Sequence, residues 1–266
     1  MLICWIIGEK KYYSEESSDM SLNRVKFMNT YIDNVTLDEA IDHIVDCIEN
    51  RKISQVITPN VDQIVRMEWD DYFKNICDKC ELLLVDGHPL MWIAKLYKKP
   101  FKEKICGSDL VPKLCEVASQ KGYSVFFLGA GLGVADIAAR NMTKKNPGLK
   151  IAGTYSPPLG FEKNPHEIEK INEMLRQSKA DMLFVGMGVP KQDIFIFENK
   201  EKYNIPVSFS IGGTIDFLAG KQKRAPRWVN KIGFEWFYRF LHDPKRMFKR
   251  YFINDMKIIK LIWKYR

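Results

Sequence analysis

An acidic residue at the end of a buried apolar run is the first position in this chain that could do chemistry. Residues 82–85 are apolar and are followed by Asp86 and Gly87. In a parallel sheet flanked by helices, ligands bind outside the carboxyl ends of the strands, so this carboxylate would face a cleft and could act as a general base. The alternative is that Asp86 caps a helix beginning near Pro89. His88 is a weaker candidate base, because a lone histidine more often serves as a local hydrogen-bonding group.

Glycine-bearing turns after other predicted strands are suited to binding a phosphate. Gly129, Gly131 and Gly133 lie between a strand and a helix, where backbone N–H groups and the helix dipole can meet an anion. Two further turns have the same character, namely Gly186 and Gly188 with Lys191 and Gln192 on the next helix, and Gly212 with Gly213. The alternative is that these glycines only permit tight turns.

The glycine pattern favours a nucleotide diphosphate over NAD as the ligand. The third glycine of the dinucleotide fingerprint would fall at Val134, and no acidic residue follows a second strand about 20 residues on. The chain also lacks an Asp-x-Asp pair. Without that metal-chelating pair, the charge of a diphosphate must be met by helix N-termini and by lysines and arginines.

Strands and helices alternate along residues 54–212. Apolar strands are predicted at 54–57, 82–85, 124–128, 151–155, 182–185 and 207–211, with helices between them. Thr36 and Asn60 are predicted to cap two of these helices, and residues 24–34 form a pair of extended segments. The pattern predicts an α/β fold with a doubly wound, mostly parallel sheet that has helices on both faces.

The positive charge of the chain is concentrated at its C-terminal end. The 266 residues are 46% hydrophobic, enough for one substantial core or two modest domains, and carry a net charge of +8. Residues 221–266 contain 14 lysines and arginines against 3 acids, whereas residues 1–220 contain 27 against 30. A near-neutral body with a basic end suggests an anionic partner, either phospholipid or nucleic acid.

Six scattered cysteines and the absence of a secretory pattern indicate reduced thiols in a cytoplasmic protein. Cys77 and Cys80 have the spacing of a metal knuckle, but no second pair completes a zinc site. No apolar run approaches the roughly 20 residues needed to span a bilayer. Residues 1–20 are predicted to be a flexible leader.

Aromatic and basic residues are interleaved in the tail, residues 221–266. Such a segment suits a membrane interface, where rings lie at headgroup level and cations meet anionic lipid. It would also suit single-stranded nucleic acid, or a helical cap that packs its rings on the sheet. Pairing of two copies of the chain through this tail is equally compatible with the sequence.

Taken together in chain order, several motifs resemble the WecG/TagA/CpsF glycosyltransferases over about residues 25–255. They are Thr58-Pro59-Asn60, Val85-Asp86-Gly87, Gly107-Ser108-Asp109, Phe127-Leu128-Gly129, Val185-Gly186-Met187-Gly188-x-Pro190-x-Gln192, and Gly212-Gly213-Thr214 through Arg224-Ala225-Pro226. The resemblance implies an inverting enzyme without cofactor or obligatory metal. It would move a hexosamine-type sugar, N-acetylmannosamine in the type reaction, from UDP to a polyprenyl-diphosphate-linked N-acetylglucosamine. The type reaction belongs to wall teichoic acid synthesis, whereas relatives serve capsule and other polysaccharides.

The resemblance also implies roles for individual residues. Asp86 would be the general base, and Thr58, Asn60 and Gln192 would bind the donor or its reacting sugar, with Thr58 counted as catalytic together with Asp86. Further expected substrate-binding residues are Gly107, Asp109, Gly129, Gly131, Gly186, Gly188, Lys191, Gly213, Arg224, Arg227, Arg239, Arg246 and Arg250. Residues 21–220 would form the catalytic core, and residues 221–266 a basic aromatic helical appendage that associates with the inner face of the cell membrane.

Within the family, the resemblance also allows transfer of a different UDP-hexose or of a uronate. On the residues alone, two functions of other classes stay open. One is a nucleotide-dependent oxidoreductase, prompted by the Gly129 loop, and the other is a nucleic-acid-binding protein that uses the basic tail. No nucleic acid is expected as a partner if the family resemblance holds.

Overall fold

The computed structural model describes residues 22–222, 235–242, 244, 248, 251 and 254–266, except the side chains of residues 235, 236, 239 and 242. The predicted leader, residues 1–20, lies outside this description. So do Arg224, Arg227, Arg246 and Arg250, and the side chain of Arg239.

Six parallel strands form the central sheet. They are β3 (Ser54–Ile57), β4 (Leu82–Leu83), β5 (Ser124–Gly129), β6 (Lys150–Tyr155), β7 (Met182–Gly186) and β8 (Val207–Ser210), in the spatial order β4-β3-β8-β7-β5-β6. Every pairing in this sheet is parallel. A separate antiparallel pair consists of β1 (Arg24–Phe27) and β2 (Thr30–Asp33). The doubly wound α/β fold predicted from the sequence is confirmed.

Helices connect the strands and carry the predicted caps. They are α1 (Leu37–Glu49), α2 (Val61–Arg66), α3 (Asp71–Asp78), α4 (His88–Leu96), α5 (Gly107–Lys121), α6 (Val134–Lys145), α7 (Pro165–Ser178), α8 (Lys191–Tyr203), α9 (Thr214–Leu218), α10 (Glu235–His242) and α11 (Ile258–Lys264). The Thr36 side chain accepts from the Glu39 N–H in a capping box at α1. Asn60 caps α2 in the same way, so both predicted caps are confirmed.

The core lies on both faces of the sheet because successive strand side chains point in opposite directions. Val125 and Phe127 of β5 pack on one face with α1, α5 and α6. Phe126 and Leu128 pack on the other face with α7 and α8. Beyond them, the ends of β3 and β4 pack with α2, α3 and α4. Strands buried on both faces explain the continuous apolar runs in the sequence.

The last helix of the chain packs against the α/β core. Leu261 of α11 is buried in the cluster formed by α2, α3 and α4. The Tyr97 hydroxyl donates to the Ile262 carbonyl at 3.0 Å, and the Tyr265 hydroxyl donates to Glu68 at 2.9 Å. Part of residues 221–266 therefore packs on the core, but through Leu261 against helices; the predicted cap was to pack its rings on the sheet, and Trp263 is 72% exposed. None of the helices in the described residues combines the length and apolarity needed to cross a bilayer.

Candidate active site

A cavity of about 720 Å³ opens at the carboxyl ends of four adjacent strands, β4, β3, β8 and β7. This is where the strand order of a doubly wound sheet places its ligands. Seven of the predicted site residues line it, namely Thr58, Asn60, Asp86, Gly107, Gly188, Gln192 and Gly213. Its volume lies within the range of small-molecule sites, which bind ligands in about 300–1,000 Å³.

Asp86 is positioned by the strand before it and by the neighbouring strand end. Its N–H donates to the Pro59 carbonyl at 2.9 Å, which ties the segment after β4 to the one after β3. Thr58 and Asn60 therefore line the same cavity as Asp86. The N-cap position of α4 is Gly87, one residue after Asp86. The carboxylate lies in the cavity lining, as a general base requires.

A mostly buried lysine that the sequence analysis missed lies near this acid. The Lys104 ammonium contacts the Asp109 carboxylate at 3.2 Å, and 14% of its side chain is exposed. Although burial acts to lower it, the pKa of this ammonium is raised by the nearby Cys106, Asp109 and Asp86. A cation held at this position can influence the charge of Asp86 and of any anionic substrate group.

Gln192 joins two of the glycine turns at the floor of the cavity. Its Oε1 accepts from the Gly188 N–H at 3.2 Å and from the Gly212 N–H at 3.1 Å. The side chain is only 2% exposed, which fixes its orientation. Gln192 therefore sets the positions of the turns after β7 and β8, in addition to any contact with substrate.

Close packing accounts for the glycine at position 107. A Cβ there would lie 2.8 Å from the Thr214 Oγ1 and 3.4 Å from the Ile211 carbonyl oxygen. Both Thr214 and Ile211 line the cavity. The missing side chain thus lets the beginning of α5 approach the turn after β8, and it brings the N–H groups of α5 to the cavity.

Five predicted binding residues are described but do not line this cavity: Asp109, Gly129, Gly131, Gly186 and Lys191. A Cβ on Gly129 would lie 2.4 Å from the Gly186 carbonyl oxygen, and one on Gly186 would lie 2.7 Å from that of Gly212. These two glycines are required by the close approach of neighbouring strand ends. Lys191 pairs with Glu162 at 2.5 Å, an acid in the short 3-10 helix Phe161–Lys163 that the sequence could not connect to it.

Several lining residues were not predicted, and their charges are unbalanced. Asp62, Asp216 and Lys221 line the cavity together with Asp86. Among the described lining residues there are thus three carboxylates and one lysine. Lys221 lies toward the glycine loop after β5, since its Nζ is 3.9 Å from a Cβ placed on Gly131. Asp216 falls in the first turn of α9, two residues after Thr214 of the Gly212-Gly213-Thr214 motif, and this proximity was the available signal for it.

A family model and individual similar proteins identify the same group of glycosyltransferases. A family model described as "Glycosyl transferase WecG/TagA/CpsF family" matches residues 25–266. A Bacillus spizizenii protein is 30% identical over 199 residues, 75% of this chain and 75% of its own length. Proteins from Bacillus subtilis and Staphylococcus aureus are 29% and 26% identical, over 80% and 88% of this chain and 81% and 89% of their own lengths. All three are named N-acetylglucosaminyldiphosphoundecaprenol N-acetyl-beta-D-mannosaminyltransferase.

Proposed function

The chain belongs to the WecG/TagA/CpsF family of glycosyltransferases, and we propose that it transfers N-acetylmannosamine from UDP to a polyprenyl-diphosphate-linked N-acetylglucosamine. The acceptor class follows from the names of the similar proteins. Teichoic acid synthesis is the pathway that fits this reaction. Transfer of another UDP-hexose or of a uronate is the second candidate, since family members with other donors would share the same cavity.

The observation that carries this proposal is the position of Asp86 in a cavity at the carboxyl ends of β4, β3, β8 and β7, with Thr58 and Asn60 in the same lining. In an inverting transfer the acceptor hydroxyl attacks C1 of the sugar from the face opposite UDP. Asp86 takes the hydroxyl proton as the new C–O bond forms, and the bond from C1 to the diphosphate oxygen breaks. Thr58, Asn60 and Gln192 hold the donor and its sugar in line for this attack.

The leaving diphosphate needs more positive charge than the described lining supplies. UDP carries two phosphates, whereas the described lining has three carboxylates against Lys221 alone. The N–H groups at the beginning of α5 can meet part of the charge. We propose that the remaining cations come from the tail arginines at positions 224, 227, 239, 246 and 250.

We also propose that exposed apolar side chains on α4 and α11 hold the enzyme on the inner face of the membrane, where its acceptor resides. Trp92 and Leu96 lie one turn apart on α4, 48% and 56% exposed. Ile259 and Trp263 lie one turn apart on α11, 45% and 72% exposed. The Tyr97–Ile262 hydrogen bond connects the ends of these two helices. Lys95, Lys98 and Lys99 provide nearby charge for anionic lipid.

The double variant Trp92→Ala/Leu96→Ala tests this membrane surface. We expect at least a fivefold loss of cosedimentation with phosphatidylglycerol vesicles, because two interfacial side chains are removed. Transfer to a short-chain acceptor should persist, since neither residue lines the cavity. Leu132→Ala/Leu159→Ala is the matched control, because both leucines are exposed on loops elsewhere. Equal vesicle binding by both double variants would contradict this role for α4.

Deleting all of residues 221–266 would be a poorer test of membrane binding. It would also remove α11, which packs on the core, and so would change stability as well.

The decisive test of the chemistry is UDP release by wild type and Asp86→Asn. With UDP-N-acetylmannosamine and a short-chain N-acetylglucosaminyl diphospholipid, we expect acceptor-dependent release that the variant reduces by about 100-fold or more, the usual contribution of a general base. Thermal melting should show that Asp86→Asn is folded. Asp42→Asn, an exposed position on α1, is the control and should keep full activity.

The possible outcomes test separately the role of Asp86, the identity of the donor sugar and the assignment of UDP-sugar as the donor. Full activity in Asp86→Asn would exclude this residue as the base. Release from another UDP-sugar alone would move the donor assignment to the second candidate. Failure of UDP itself to bind would contradict the donor assignment altogether, and salt-sensitive oligonucleotide binding would then support the nucleic-acid alternative.

A further inference from the structure

Three potential metal ligands meet at the opposite end of the sheet from the cavity. They are His43 and Cys47 on α1 and Glu81, the residue before β4. One nitrogen, sulfur or oxygen atom from each lies within 4.8 Å of the other two. Among the residues that the structure describes, this is the one group of three or more such side chains with ligand atoms this close.

The local structure fixes all three ligands in place. His43 and Cys47 are four residues apart, so both lie on the same face of α1. The Glu81 N–H donates to the Gln55 carbonyl at 2.9 Å, which anchors this residue to β3. Cys47 is 1% exposed and His43 is 8% exposed. The group is therefore built into the packing between α1 and the sheet, unlike a chance cluster on the surface.

We propose that His43, Cys47 and Glu81 bind one Zn²⁺ ion. An imidazole nitrogen, a thiolate and a carboxylate oxygen are each usual ligands of zinc, and water can supply the fourth ligand of a tetrahedral site. The His43 Nε2 and Glu81 Oε1 are 2.7 Å apart and must separate to roughly 3.3 Å to share a metal with bonds of about 2.0–2.1 Å. This is a small rotation of two side chains.

The one group that must move away is the ammonium of Lys52. It contacts the same Glu81 oxygen at 2.7 Å, and 55% of its side chain is exposed. A flexible lysine can swing into solvent and give the ion a path to the site. Zinc would bind thiolate and neutral imidazole and release their protons.

The proposed ion is structural and separate from catalysis. None of the three ligands lines the active-site cavity, and Glu81 and Asp86 lie at opposite ends of the segment that contains β4. The ion would connect α1 to the beginning of β4. The proposal does not depend on the donor sugar or on the acceptor, so the two proposals can fail independently.

Cobalt spectroscopy of the full-length protein tests the site. After removal of metals with a chelator, we expect one equivalent of Co²⁺ to produce a thiolate-to-cobalt charge-transfer band, and Zn²⁺ to abolish it. Cys47→Ser should lose this band. Cys115→Ser is the matched control, because Cys115 is a buried cysteine on α5 outside the cluster, and it should keep the band.

Two further measurements cover a Cys47→Ser variant that does not fold. Excess Zn²⁺ should raise the melting temperature of the wild type on the order of 5 °C, and that rise should be lost in His43→Gln and in Glu81→Gln. The proposal is overturned if wild type shows no charge-transfer band. It is equally overturned if the charge-transfer band survives Cys47→Ser. Loss of the band in Cys77→Ser would then identify Cys77 as the thiolate that binds the metal.

Discussion

The two ends of strands β3 and β4 treat charge in opposite ways. At the amino end, Asp33 is fully buried and accepts from Arg24 twice, at 2.8 Å each, and from the Leu83 N–H at 2.8 Å. At the carboxyl end, Asp86 and other carboxylates line a cavity with a single lysine among the described lining residues. One end is completed by the protein itself, whereas the other has an excess of negative charge that a bound substrate and further cations must complete.

Glu81, one of the three proposed zinc ligands, shows how the charges of the amino end are paired when no metal is bound. The hydrogen bond with His43, together with the Lys52 ammonium, holds the pKa of Glu81 at about 2 despite burial. Its carboxylate therefore stays ionised throughout the physiological range. Buried charged groups that have partners within the protein therefore contribute to the stability of the fold. Charged groups that line the open cavity are available to bind and act on a substrate. Substitutions at the two ends should accordingly separate stability from activity.

The largest expected effect on stability is at the amino end. Asp33→Ala leaves the Arg24 guanidinium without its carboxylate and the Leu83 N–H without its acceptor. Breaking a buried pair costs about 3–5 kcal/mol, and we expect about 3–4 kcal/mol here because 34% of the Arg24 side chain is exposed. Urea unfolding measures this loss. Activity per folded molecule should be unchanged, and Asp42→Ala on α1 is the exposed control.

A loss below 1 kcal/mol in Asp33→Ala would contradict the comparison. So would a folded variant that has lost transfer activity, because the amino end would then serve catalysis as well. Either result would show that the division between the two ends is less complete than the contacts indicate.

An acid between the two ends should make stability depend on pH. Asp193 on α8 is 0% exposed, and burial raises its pKa to about 7, an effect that Ser210 and Arg66 only partly offset. Between about pH 4 and 7 the folded state holds this proton and the unfolded state does not, so stability falls as pH rises and then levels off. From pH 5 to 8 the loss should be about 2–3 kcal/mol.

The difference between wild type and Asp193→Asn isolates this contribution, because other groups titrate equally in both. Urea unfolding at pH 5, 6, 7 and 8 should give a steeper decline for wild type. Parallel curves would show that the carboxylate is already ionised in the folded state at pH 5.

Local chemistry in the sequence was sufficient to predict the elements and seven of the residues that line the cavity. The caps at Thr36 and Asn60 and the apolar strands depend on neighbouring residues, and they were predicted correctly. Lys221 was missed because only the packing of distant segments brings it to the site. Lys104 was missed although its contacts Cys106 and Asp109 are close in sequence, because the sequence does not show that it is buried near Asp86. Lys191 was assigned to substrate because its partner Glu162 lies in a separate short 3-10 helix, and a sequence contains no distance between the two.

Glycines were the most ambiguous signal for the same reason. Gly129 and Gly213 occur in similar turns, yet only Gly213 lines the cavity. The Gly129 backbone has φ +116° and passes against the Gly186 carbonyl. A sequence can indicate that the backbone must be unobstructed, but it cannot distinguish a neighbouring strand from a ligand as the group that approaches.

The smallest expected stability effect is at Gln192, which lines the cavity but is buried and bonded within the protein. Gln192→Leu removes the acceptor for two backbone N–H groups, those of Gly188 and Gly212. Leaving a buried donor unsatisfied costs about 1–3 kcal/mol, but water in the cavity can replace part of this acceptor, so we expect about 2 kcal/mol in total. Transfer should fall at least tenfold, because both turns lose their fixed positions.

Gln192→Glu separates the two contributions of this side chain. A carboxylate oxygen can still accept from both N–H groups, so the turns should stay in place and the variant should be more stable than Gln192→Leu. Its negative charge would face the donor diphosphate and should raise KM for the UDP-sugar more than it lowers kcat. Gln177→Leu, an exposed change on α7, is the control. If Gln192→Glu keeps wild-type KM, the diphosphate does not lie near this residue, and Gln192 only positions the turns.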